Sequence, residues 1–187
     1  MPPCTLIIPT LEYLPSYKSA LERGWGPDNL REAEAARENL AKIAADPALF
    51  VALHDDPHAL AGPVTLPDRS HVPRLPGITR WIWDGEFCGS INLRWQKGTS
   101  ALPSYVLGHI GFSVVPWKRR LGYATRALAL LLPEARAQGL DHVELTTAPD
   151  NTASQKVILA NGGTLIERFR KDAAYGGDEG LRFRIVF

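Results

Sequence analysis

Val114-Val115-Pro116-Trp117-Lys118-Arg119-Arg120-Leu121-Gly122-Tyr123-Ala124-Thr125 constrains the chain more than any other segment. An apolar strand stops at Pro116, a basic loop follows, and an Ala/Leu-striped helix over Leu121–Gln138 begins at Gly122. That helix leads into a second apolar strand, His142–Thr147. Two strands joined through a helix in one sheet form a right-handed parallel crossover. His109–Val115 and His142–Thr147 are therefore expected to be a parallel pair. Pro133 falls inside the helix and is expected to kink it or end it early.

The surrounding segments read as antiparallel. Ile78–Trp83 and Phe87–Arg94 meet at Asp84-Gly85, a hairpin signal. Trp81 and Trp83 flank Ile82 and point to one face, as core or wall residues. Thr152–Asn161 reads as a helix closed by Gly162-Gly163, and Thr164–Arg170 and Leu181–Phe187 as a last strand pair. Upstream, Thr5–Ile8 is a short strand. Leu11–Arg23 is a helix stopped at Gly24, and a second helix runs from Asp28 or Asn29 through Ile43, ending before Asp46-Pro47. Asp55–Pro76 has no period and is expected to be a long loop. The fold class is α/β (α+β), a mixed, mostly antiparallel twisted sheet with helices on both faces. The residues before Asp55 hold one strand and two helices, too little for a core of their own. Residues 1–187 are thus expected to form one domain, with 1–76 supplying the first strand, the helices and the loop, and 77–187 the sheet.

Charge excludes some partners. Lys plus Arg is 21 and Asp plus Glu is 20, so no basic field is available for nucleic acid. The most apolar run, Ala127–Pro133, is far shorter than the roughly 20 residues of a membrane span. Met1-Pro2-Pro3-Cys4 lacks a basic n-region and an apolar h-region, which argues against secretion. Cys4 and Cys88 are the only cysteines, and both are expected to be free thiols in a reducing cytoplasm. Cys88 lies in a strand and reads as a small buried hydrophobe. His54-Asp55-Asp56-Pro57-His58 resembles a metal site only superficially. Pro57 prevents the helix that would align the two histidines, no third ligand follows at ligand spacing, and no metal is expected.

The strand–loop–helix segment has a chemistry of its own. A helix N-terminus carries unpaired N–H groups and the positive end of the dipole, so it suits an anion. Gly122 and Ala124 leave room for phosphates at the backbone, and Arg119 and Arg120 add charge. The segment resembles the pyrophosphate-binding motif of the GNAT N-acetyltransferase superfamily, Arg/Gln-x-x-Gly-x-Gly/Ala, present here as Arg119-x-x-Gly122-x-Ala124. Asp150-Asn151-x-x-Ser154 followed by Asn161-Gly162-Gly163 resembles a second motif of that family. Ile91–Arg94, Gly108–Gly111 and Asn161–Gly163 resemble a bacterial subgroup of predicted acetyltransferases.

The resemblance implies acetyl-CoA as co-substrate, held where the parallel pair splays apart. It implies pantetheine pairing along Phe112–Val115 (Phe112, Val114 and Val115), and pyrophosphate on the N–H groups of Arg120, Leu121, Gly122, Tyr123, Ala124 and Thr125. The Val114 N–H would stabilise the charge that develops on the thioester oxygen. Asn151, and Ser154 beside it, would meet the pantetheine arm, and Asn151 also suits a helix N-cap.

The chain departs from the family in its acid–base residues. The position of the family's general-acid Tyr holds Ile158. The position of a Glu base found in ribosomal-protein N-terminal acetyltransferases holds Thr146, with Glu144 one side-chain repeat earlier on the same face. His109 suits a base by its ordinary pKa, but its strand parity turns it away from the site, which favours a structural role. Asn92 and Arg94 alternate on one strand and are placed to line an acceptor pocket. Arg94 would recognise a carboxylate or pair with an acid. The expected activity is acetyl transfer to a primary amine of a small molecule or peptide. A protein N-terminal or lysine acetyltransferase and a catalytically idle CoA-binding module are the alternatives. Neither a nucleic-acid nor a membrane partner is expected, and a homodimer is compatible with the sequence.

Overall fold

Alternation along a single strand serves two cores at once. In Gly77–Trp83, Ile78 and Ile82 face one apolar cluster while Trp81 and Trp83 face another. The computed structural model describes residues 4–29 and 31–187. In chain order the elements are β1 (Thr5–Ile7), α1 (Leu14–Glu22), α2 (Glu32–Ala45), α3 (Pro47–Ala52), β2 (Asp55–Asp56), β3 (Val64–Thr65) and β4 (His71–Val72). They continue with β5 (Gly77–Trp83), β6 (Phe87–Arg94), β7 (Ile110–Val114), α4 (Tyr123–Ala137), β8 (His142–Thr147), α5 (Thr152–Leu159), β9 (Thr164–Arg170) and β10 (Glu179–Val186).

One sheet runs β1-β5-β6-β7, with β2 on the rest of β5, and a second runs β8-β10-β9. Every ladder among the described residues is antiparallel. The crossover strands β7 and β8 share no ladder and touch at one end, where the His109 N–H donates to the Glu144 carbonyl at 2.7 Å. Two antiparallel sheets with helices packed on them are thus present, and the strands expected as a parallel pair, β7 and β8, stand apart without a ladder.

Ala127, Leu128, Leu131 and Ala135 of α4 repeat at helical spacing and are fully buried against Ile82, Ile91 and Leu145. On the opposite face α1–α3 cover an aromatic cluster in which Tyr17 stacks on Trp81, with ring centroids 4.7 Å apart. Trp25 is fully buried and its Nε1–H donates to the Ser113 Oγ at 3.0 Å, fixing the α1–α2 connection on β7. Arg80 ties the two faces together, pairing with Asp55 of β2 and with Glu134 of α4 at 2.8 Å.

Local expectations needed correction at five places, the first being the second helix, which begins at Glu32 and not at Asp28 or Asn29. α1 begins at Leu14 and not at Leu11, because Pro15 suits a first helical turn. Asp46-Pro47, expected as a stop, also starts α3: the Asp46 side chain accepts from the Leu49 N–H at 2.9 Å and Pro47 sits at the first helical position. The loop over 55–76 contains β2 and the small β3–β4 hairpin. α4 continues past Pro133 to Ala137. Pro133 and Ala129, one turn earlier, are both exposed, so the carbonyl that loses its helical partner faces water.

Candidate active site

The backbone of β7 has one paired edge and one open edge. The Arg94 N–H donates to the His109 carbonyl, and the Val115 N–H donates to the Cys88 carbonyl at 3.0 Å. With Ile91 opposite Phe112, the hydrogen-bonded pairs fall at Asn92–Gly111 and Ser90–Ser113. The N–H and C=O groups of Phe112 and Val114 therefore turn away from β6 into the gap beside β8. Two carbonyls in that gap are engaged by side chains: Phe112 accepts from Asn29 Nδ2 at 3.3 Å, and Val114 accepts from Arg119 Nε at 3.0 Å. No acceptor among the described residues takes the Val114 N–H. Gly89 permits this geometry. Its φ is +151°, and a Cβ there would stand 2.2 Å from the Ser113 carbonyl oxygen.

Six residues after Val114 the chain forms a cradle of N–H groups. Pro116–Lys118 makes a 3₁₀ turn, Arg120 adopts φ +62°, and Gly122 caps α4 at φ +87°. No side chain caps the helix. The N–H groups of Arg120, Leu121, Gly122, Tyr123, Ala124 and Thr125 meet no acceptor among the described residues. Alternating backbone hands at a helix start make a concave anion site. The loop is held from behind by Asp84 in the β5–β6 turn, which accepts from Lys118 at 2.7 Å and from the Tyr123 hydroxyl. Burial opposes the Asp84 charge, but Lys118 and Tyr123 bring its pKa to about 2, and the same bond raises Tyr123 to about 12. Tyr123 thus reaches the cradle through its backbone only. Arg119 is turned back toward Val114 and Glu32, while Arg120 is exposed. Val115 has its N–H on Cys88 and its carbonyl on Lys118, and supports the cradle from beneath.

Asn151 caps α5, its Oδ1 accepting from the Ser154 N–H at 3.0 Å. Asn161 ties α5 to α4, donating to the carbonyls of Val157 and Thr125. Ile158 is fully buried in the core beneath that turn.

His109 closes the end of the gap. It is fully buried, and its Nδ1 accepts from the Glu144 N–H at 2.9 Å. The proton therefore resides on Nε2, which has no partner. Burial pushes its pKa down to about 4. Unfolded histidine binds its proton near pH 6.5, so the unfolded state holds more protons between about pH 4 and 6.5, and stability falls as pH falls through that window. Replacement by Asn keeps an acceptor for Glu144 but does not titrate. Urea unfolding of His109→Asn across this range should lose a stability slope of up to about 1.4 kcal/mol per pH unit relative to wild type.

Glu144 is nearly buried and receives Arg184 at 2.6 Å and Arg182 at 3.1 Å. Burial alone would raise its carboxyl, but the two arginines outweigh it and hold it below the usual carboxylate range. Cys88 is also fully buried, and burial raises its thiol to about 12, which removes it as a nucleophile.

Asn92 and Arg94 lie on the face opposite the α4 core and meet at 2.6 Å, with Asn92 Oδ1 accepting from Arg94 Nη2. A Cβ at Gly111 would stand 3.3 Å from both side chains, so the glycine lets them cross β7. They border a cavity that also touches His54, Thr79, Tyr105 and Tyr175. The sequence singled out His54 only as a metal-ligand candidate and left the two tyrosines unmarked, because nothing local marks these residues as cavity wall. His54 Nδ1 meets the Phe50 carbonyl at 2.8 Å, so its Nδ1 carries the proton, and burial lowers its pKa. Among the described residues no group of three His, Cys, Asp or Glu side chains is placed to hold a metal.

The site is thus a gap between the crossover strands, with a free strand edge leading to an anion cradle. The chain belongs to the acetyltransferase (GNAT) domain family, whose model matches residues 20–164. Its fold is similar to that of the microcin C7 self-immunity acetyltransferase MccE solved with acetyl-CoA and AMP. The TM-score is 0.62 at 14% identity, over 98% of this chain and 92% of that one. It is also similar to Mycobacterium smegmatis RimJ in complex with CoA-disulfide, with a TM-score of 0.60 at 18% identity, over 98% of this chain and 81% of that one. No curated protein matches the sequence. No helix among the described residues is long and apolar enough to cross a membrane.

Proposed function

We propose that this chain transfers an acetyl group from acetyl-CoA to a primary amine of a small molecule or peptide. The observation that carries this reading is the unpaired Val114 N–H in the gap, six residues before six unpaired N–H groups at the start of α4. The acetyl-CoA and the CoA-disulfide in the two similar structures support the same co-substrate. When bound, acetyl-CoA supplies the acyl group as an activated thioester. The residues present fit it. The cradle from Arg120 to Thr125 receives phosphate oxygens, with Arg120 adding charge. The open edge at Phe112 pairs with an amide-bearing arm. Asn151 keeps Nδ2 available for that arm, since only its Oδ1 is engaged by Ser154.

The Val114 N–H donates to the carbonyl oxygen as negative charge grows on it. The amine nitrogen forms the new C–N bond, the C–S bond breaks, and the amine's proton ends on the departing sulfur by way of water. Water fills that role because Ile158 offers no hydroxyl. No side chain in the gap is set up as a strong base: the His109 Nδ1 lone pair is occupied and Glu144 is paired twice. Two free, buried cysteines suit a reducing cytoplasm.

The test is incubation with acetyl-CoA and a panel of amines, following released thiol. Thiol release that depends on the amine is expected, with kcat/KM rising with pH as the acceptor amine loses its proton. His109→Asn and Glu144→Gln, checked for folding, should each lose less than about 100-fold. Acetyl-CoA binding without release for any amine would leave a CoA-binding module. A loss of about 1,000-fold or more in either variant would identify that residue as a base.

A further inference from the structure

Several arginines that leave bulk water in this protein are given carboxylates. Arg31 pairs with Glu34 and Glu38, Arg80 with Asp55 and Glu134, and Arg182 with Glu144 and Glu167. Like Arg74, Arg94 is an exception. It is half-buried at the cavity wall, and among the described residues its side chain meets Asn92 and no carboxylate. A second cation, Arg74, borders the same cavity, and its Nε donates to the Gly62 carbonyl. Asp56, the carboxylate on that wall, is already occupied by the N–H groups of Leu60 and Ala61 at 2.6 and 2.9 Å. An arginine withdrawn from water without an anion is costly, and it is stabilised when a carboxylate arrives.

The rest of the cavity suits a small organic body. Leu66, Val72 and Val106 supply apolar wall, and Tyr105 and Tyr175 supply aromatic surface. The volume is about 310 Å³, at the lower end of the roughly 300–1,000 Å³ of small-molecule sites.

We infer that the acceptor is a small amine that also carries a carboxylate, which seats on the Arg94 guanidinium while Asn92 holds that guanidinium in place. This rests on the transferase reading above. The two ends of such an acceptor stand well apart. Arg94 reaches β7 at Gly111, and Gly111 lies three residues before Val114, about 10 Å at 3.4 Å per residue. The amine and the carboxylate are therefore separated by several bonds, as in an ω-amino acid or a dipeptide, and not carried on one carbon.

Calorimetry with unreactive product forms tests this without turnover. The probes are N-acetylglycine, the N-acetyl derivatives of longer ω-amino acids, and the matching carboxamides and phosphonates, titrated with and without coenzyme A. The longer acids should bind wild type at least about tenfold more tightly than their carboxamides and than acetylglycine. Arg94→Gln should abolish that preference while leaving acetyl-CoA affinity unchanged, and Arg94→Lys should restore part of it. The inference is overturned if wild type binds none of the acids, if it binds acid and carboxamide equally, or if Arg94→Gln keeps the preference. Tighter binding of the phosphonates would replace the carboxylate with a phosphate-type anion. Failure of wild type to bind acetyl-CoA would count against the transferase reading alone, because the acids are also titrated without coenzyme A.

Discussion

Val114→Pro is expected to lower kcat by about 100- to 1,000-fold while acetyl-CoA affinity changes little. Proline removes one atom of interest, the amide hydrogen. In most strand positions this would also break a ladder bond. At Val114 it does not, because the N–H faces the gap and the ladder bonds to β6 are made by Ser113 and Val115. Ser113 already has the extended backbone that a residue before proline requires. One donor aimed at a developing oxyanion contributes about 2.7–4 kcal/mol in enzymes where it has been removed. Stopped-flow or steady-state thiol release gives kcat, and calorimetry gives the acetyl-CoA affinity. A variant that binds acetyl-CoA normally and turns over within about threefold of wild type would show that the charge is stabilised elsewhere.

Gly122→Val is expected to weaken acetyl-CoA binding by tenfold or more, about 1.4 kcal/mol or greater. Gly122 sits at φ +87°, a region that a β-branched residue adopts only with strain, and it is the residue from which the cradle turns into α4. Valine there rotates neighbouring N–H groups out of convergence and puts methyls where phosphate oxygens approach. Circular dichroism and unfolding confirm that the variant is folded, and calorimetry reads the affinity. Unchanged affinity in a folded variant would move the phosphate site away from this loop.

These two predictions draw on different kinds of information. The Gly122 turn was legible locally: a strand end, a basic turn, a glycine and small residues opening an amphipathic helix lie within one dozen residues. The periodic segments were legible for the same reason. Ala127, Leu128, Leu131 and Ala135 mark the buried stripe of α4, and Trp81 and Trp83 alternate onto one face of β5. Asp46-Pro47 was ambiguous because one dipeptide can close a helix and cap the next. The two-residue ladders within 55–76 were invisible because two residues carry no period.

What the chain's own letters determined was the succession of elements, the crossover between His109–Val115 and His142–Thr147, and the glycine turn that opens α4. Those follow from side-chain size and backbone freedom over a few neighbouring residues. Tertiary structure alone decided which polar groups are left without partners. Whether the Val114 N–H is free depends on the register of β7 against β6. Whether His109 holds a usable lone pair depends on where Glu144 lies, thirty-five residues along the chain. Whether Arg94 has a carboxylate depends on segments from Asp56 to Tyr175 that meet only in the folded molecule. Hydrogen-bond and ion-pair partners are set by long-range packing, and a buried group's chemistry is set by the partner it has or lacks.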